Sequence, residues 1–127
     1  MKTLIKVLAI IASLPLFALG AAAMFSPTSM YEMLNLKPQG VFGINTVRSD
    51  IGGMLIGSAV MIWLGLWKQN NFWFRSTILV MATLLVGRTI STIVDGFTTA
   101  AIPAIAVETY TIVVLYIAIK VSESDNK

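Results

Sequence analysis

The sequence predicts an all-α fold, an integral membrane four-helix bundle with both termini in the cytoplasm. Three observations predict it. Of 127 residues, 57% are hydrophobic and only 12% charged, about half the ~25% charge of a soluble domain, and the mean hydropathy is +0.84. Four apolar runs approach the roughly 20 residues that cross a bilayer. The cations, finally, are unequally divided between the two sides those runs define.

The first run, residues 7–25, holds 19 residues without a charge. The second, 51–67, holds 17 and extends back to Thr46 through Arg48 and Asp50. The third, 76–94, holds 19 and is interrupted once by Arg88. The fourth, 103–121, holds 19, with Glu108 near its start and Lys120 near its end. Pro103 suits a first helical position, where its missing N–H would have had no partner. The expected helices are 4–25, 46–67, 73–94 and 103–121, in one domain over 1–127. Lys2 and Lys6 before the first run, with Ala21-Ala22-Ala23 near its end, imitate a secretory signal peptide. An uncharged run of 19 exceeds the roughly 7–15 residues of such a signal's apolar region. The first helix is therefore retained.

The connections carry their own signals. Ser26-Pro27 reads as an N-cap followed by Pro at N1, opening a short outer amphipathic helix over 27–36. Met30, Met33 and Leu34 give it one apolar face. Lys37-Pro38-Gln39-Gly40 has Pro and Gly where a turn wants them. The 68–75 segment is a loop, 96–102 a short uncharged connection, and 122–127 a polar, flexible tail.

Lys2, Lys6, Lys68, Arg75, Lys120 and Lys127 lie on one side, Lys37 and Arg48 on the other, and Arg88 inside a span. Six against two places the termini in the cytoplasm. Trp63, Trp67, Phe72, Trp73 and Phe74 surround the 68–75 loop as an interfacial belt, and their spacing points to nothing beyond anchoring. Topology accounts for the net charge of +3, and no soluble basic patch exists for nucleic acid. With no Cys and no His, disulfides, thiol nucleophiles and imidazole chemistry are excluded. No cofactor or metal site is expected.

The informative residues are ionisable groups near or within spans, each costing roughly 2.5–3.5 kcal/mol at the bilayer centre. They are Arg48, Asp50, Arg88, Asp95 and Glu108. By helical rise, Arg88 lies roughly 9 Å before the end of the third span and Glu108 roughly 7 Å past the start of the fourth. Antiparallel helices put the two at one level, where a carboxylate–guanidinium pair satisfies both. Arg88, Ser91 and Asp95 share one helical face. Asp50, Gly53 and Gly57 have the same spacing, so Asp50 is expected to point into the seam that a G-x-x-x-G pattern opens. Gly87 and Ser91 form a second small-residue pair. These pieces are expected to converge on one polar site near the non-cytoplasmic side. Against that stand blander readings: G-x-x-x-G commonly marks packing alone, and an Arg–Glu pair can serve only to fix register. Structural glue and functional site stand level.

The strings Arg48-Ser49-Asp50-Ile51-Gly52-Gly53 and Gly87-Arg88-Thr89-Ile90-Ser91, followed by Asp95-Gly96 and Glu108, resemble the bacterial four-helix membrane proteins catalogued as domain of unknown function 4345. Those are similar in turn to DoxX-like small membrane proteins. The resemblance implies a multi-pass protein of the bacterial inner membrane and carries no established activity.

Three functions are compatible with these residues. The leading one is a small binding or accessory protein that assembles with itself or with a larger membrane complex. The second is an oligomeric small-solute or ion transporter. The first helix has no ionisable residue between Val7 and Phe25, which counts against the small multidrug exporters that work around a carboxylate there. The third is a lipid- or isoprenoid-modifying enzyme using Asp50, Asp95 or Glu108 as acid or base, although no hydrolase, transferase or metal-enzyme signature is present. Expected partners are the lipid bilayer, further copies or a larger complex, and a lipid or small hydrophobic ligand.

Overall fold

The computed structural model describes residues 2–125. Every regular element among them is helical: α1 (Thr3–Phe25), α2 (Pro27–Met33), α3 (Gly40–Thr46), a π-helical segment (Val47–Gly52), α4 (Gly53–Lys68), α5 (Asn71–Val94), a 3₁₀ turn (Thr99–Ala101) and α6 (Ile102–Asp125). Four helical stretches are long and apolar enough to cross a membrane, namely Thr3–Phe25, Gly40–Lys68, Asn71–Val94 and Thr99–Ser124. The second is continuous through α3, the π segment and α4. Many large apolar side chains are exposed, among them Leu4, Val41, Phe42, Leu79 and Ile93. In water they would form adhesive patches; in hydrocarbon they are solvated. The chain is a small multi-pass membrane protein.

The described chain forms two compact units, residues 14–60 and residues 2–13 with 61–125. In the first, Ala23, Met30 and Val47 are buried, with Leu19, Ala22, Tyr31, Leu36 and Ile51 packed against them. Here α1 approaches the π segment and the start of α4 through glycine. A Cβ on Gly20 would stand 2.8 Å from the Ile56 backbone nitrogen, and one on Gly52 3.1 Å from that of Met24. In the second unit α5 packs antiparallel on α6, and Phe74, Met81, Leu115 and Ala118 are buried. Gly65 makes room for Phe74, whose ring atom Cε1 would lie 2.5 Å from an added Cβ. Lipid removes most of the hydrophobic drive between helices, so small residues and close packing must hold them. The buried Ser13, Ser58, Thr77 and Thr111 hydroxyls are satisfied by carbonyls three or four residues back in their own helices.

Several boundaries differ from the expected ones. The short outer helix stops at Met33 rather than reaching residue 36, because Asn35 turns left-handed at φ 52°, a conformation Asn tolerates. Ser26 stands at its N-cap with Pro27 following, yet the Ser26 side chain makes no capping bond. Of the expected apolar face only Met30 is buried; Met33 and Leu34 are exposed. The 68–75 loop shrinks to Gln69 and Asn70, since Gln69 takes φ 48° and the Asn70 side chain accepts the Phe72 N–H at 2.9 Å. The expected flexible tail is helical through Asp125, its last turns tied to α5 by the Arg75–Glu123 ion pair. Lys127, counted among the cations, lies outside the described residues.

Candidate functional site

The α5–α6 hairpin carries the most developed polar arrangement. Glu108 enters on the second turn of α6, and Arg88 sits at the same level of α5. The Arg88 Nε donates to both carboxylate oxygens at 2.9 Å, and Nη2 lies 2.8 Å from Oε1. The Glu108 side chain is only 6% exposed, whereas that of Arg88 keeps 37%. The pair therefore neutralises a carboxylate inside the chain while leaving part of the guanidinium at the surface.

Ser91 and Asp95 close the end of α5. The Ser91 hydroxyl donates to Asp95 Oδ2 at 2.9 Å, and the Asp95 N–H caps the Ser91 carbonyl at 2.7 Å. Both residues are exposed. A carboxylate at a helix C-terminus opposes the macrodipole, so this local bond offsets an otherwise unfavourable placement.

Arg48 and Asp50 belong to the other compact unit, and each has its own partner there. The Arg48 Nη1 donates to the Met24 carbonyl, one of the last carbonyls of α1, which have no partner within their own helix. A cation there also complements the helix dipole. Asp50 is exposed, with Oδ1 3.2 Å from the Ser49 hydroxyl, which has a closer acceptor in the Asn45 carbonyl at 2.8 Å. The expected Asp50–Gly53–Gly57 face assumed an uninterrupted α-helical period. The π segment Val47–Gly52 breaks that period, because its i→i+5 bonding places an extra residue in the turn. A pocket of about 380 Å³ opens beside Arg48, lined also by Met24, Val41, Ile44, Asn45 and Ser49.

The glycines divide differently from expectation. Among the described residues, an added Cβ on Gly53, Gly57 or Gly87 would meet no neighbouring atom within 4 Å. The close crossings are made by Gly20, Gly52 and Gly65 instead. Trp63 also exceeds its expected anchoring role: its Nε1 donates to the Ser13 hydroxyl at 2.8 Å. Among the described residues no three carboxylates gather closely enough to hold a metal ion.

A family model, Domain of unknown function (DUF4345), matches residues 4–119. The chain belongs to this family. No curated protein and no solved structure matches it. The match reaches into all four spans, ending at residue 119 within the fourth, and it includes Arg48, Asp50, Arg88, Ser91, Asp95 and Glu108 of the DUF4345 chain, but it brings no activity with it.

Proposed function

We propose that this DUF4345 protein is a binding and assembly component of the bacterial inner membrane, lying with both termini in the cytoplasm. Its α5 docks against a second copy or a larger membrane complex. The observation that carries this reading is the bareness of α5. Only 11% of its apolar window is buried inside the chain, against 28–33% in the other three spans.

Thr83, Gly87, Ile90 and Val94 fall on one face of α5 at helical spacing, and all four are exposed. The Thr83 hydroxyl is bonded to the Leu79 carbonyl at 2.9 Å, so it brings no unmet polar group to a contact. Gly87, with nothing over it, lets a partner backbone come close, where dispersion does the work that hydrophobicity cannot do in lipid. Near the end of that face the half-exposed Arg88 and the Ser91–Asp95 pair supply a polar rim for a partner or a small amphiphilic ligand. The test is native mass spectrometry after gentle extraction. A dimer, a larger oligomer or a retained membrane partner supports the reading, and a free monomer in both mild detergent and lipid discs removes it.

A further inference from the structure

The opposite end of the α5–α6 hairpin has a groove that assembly through α5 does not explain. It encloses about 310 Å³ and is lined by Arg75, Ile78, Tyr116, Ile119, Lys120 and Glu123. Two cations from different helices thus stand beside an apolar wall. Arg75 gives one Nη2 bond to Glu123 at 2.8 Å, and its side chain remains 66% exposed. A guanidinium has five N–H donors, so most of its capacity is uncommitted by that bond. The Lys120 ammonium lies 5.6 Å from the centre of the Tyr116 ring, with no carboxylate partner among the described residues. One carboxylate against two cations leaves the groove positive.

Depth identifies the occupant. Arg75 is roughly 6 Å inside the start of α5, and Lys120 roughly 8 Å from the end of α6. Trp67 and Phe72, both largely exposed, mark the same end of the hairpin as the interfacial zone. We propose that the groove holds an anionic phospholipid. The phosphate sits on Arg75 and Lys120, and an acyl chain runs along Ile78, Ile119 and Tyr116. Arg presents a planar fork suited to phosphate oxygens, and Lys adds a point charge. A soluble anion would use the cations and leave the apolar wall bare.

The test measures lipid adducts by native mass spectrometry on the full chain, taken from vesicles of equal parts phosphatidylglycerol and phosphatidylcholine. Wild type should retain phosphatidylglycerol preferentially. Arg75→Gln and Lys120→Gln should each lower that preference about fivefold, the worth of one cation at an anionic surface. Glu123→Gln breaks the same ion pair as Arg75→Gln but spares the cation, so it should keep or raise the preference. Lys68→Gln removes an equal charge outside the groove and should leave the preference unchanged. Equal retention of both lipids by wild type would overturn the proposal. So would an equal fall with Lys68→Gln, which would indicate diffuse surface charge, or a fall with Glu123→Gln matching that of Arg75→Gln. Loss of the adduct in millimolar inorganic phosphate would overturn it too, because the site would then belong to a soluble anion.

Discussion

Among the described residues two ion pairs tie α5 to α6, one at each end of the hairpin, and each has an N···O distance of 2.8 Å. Distance therefore does not distinguish them, but burial does. Glu108 is 6% exposed against Arg88, whereas Arg75 and Glu123 are 66% and 41% exposed. Exposure lets the surroundings screen the second pair, and its long side chains lose entropy in meeting, so such pairs contribute ~0–1 kcal/mol. In the first, the alternative to pairing is a bare carboxylate in a low dielectric. One end of the hairpin is locked by charge, and the other is only weakly held.

The largest expected effect breaks the locked end. Arg88→Leu leaves Glu108 buried without a counter-charge and should destabilise the fold by about 3–5 kcal/mol. Thermal or denaturant unfolding in detergent measures it. Adding Glu108→Leu should restore most of the loss, since two apolar residues need no pairing; a double variant no more stable than the single would refute the lock.

A middle-sized effect carries the same contrast into the other compact unit, with glycines in place of charges. Gly20→Ala forces a Cβ to within 2.8 Å of the Ile56 backbone nitrogen, where no side-chain rotation can relieve it. The expected loss is about 1–3 kcal/mol. Gly57→Ala meets nothing within 4 Å and should leave the monomer's stability unchanged or slightly raised, because Ala is the better helix former. Similar unfolding midpoints for the two variants would contradict the assignment of the crossing to Gly20 and Gly52.

The smallest effect belongs to the weakly held end. Glu123→Gln should change stability by no more than ~1 kcal/mol, and added salt should shrink even that. A loss rivalling that of Arg88→Leu would erase the distinction between the two ends.

How far the sequence exposes this arrangement depends on which physical signal each part leaves. The four spans are legible because hydrocarbon demands long apolar runs. The Arg88–Glu108 register is legible because helical rise converts sequence distance into depth. The π segment is not, since Val47–Gly52 has no composition that separates i→i+5 from i→i+4 bonding. That local change undoes the face expected for Asp50, Gly53 and Gly57. The Gly20–Gly52 crossing is equally silent: the two glycines lie on different helices, and no local spacing joins them. The G-x-x-x-G at Gly53 and Gly57 stands out as a pattern, yet it makes no close crossing among the described residues. Trp63 reads as a belt residue because indoles collect at interfaces, and only the fold brings Ser13 to its N–H.

The central claim is that α5, fixed to α6 by Arg88 and Glu108, offers its uncovered face to another helix. A chain without cysteine permits a direct measurement: single cysteines placed along α5 from residue 79 to 94, oxidised in native membranes. With a second copy as the docked partner, disulfide-linked dimers should peak at Thr83, Gly87, Ile90 and Val94 and fall between them with the helical period. Uniform cross-linking around α5, or none at any position, would contradict it.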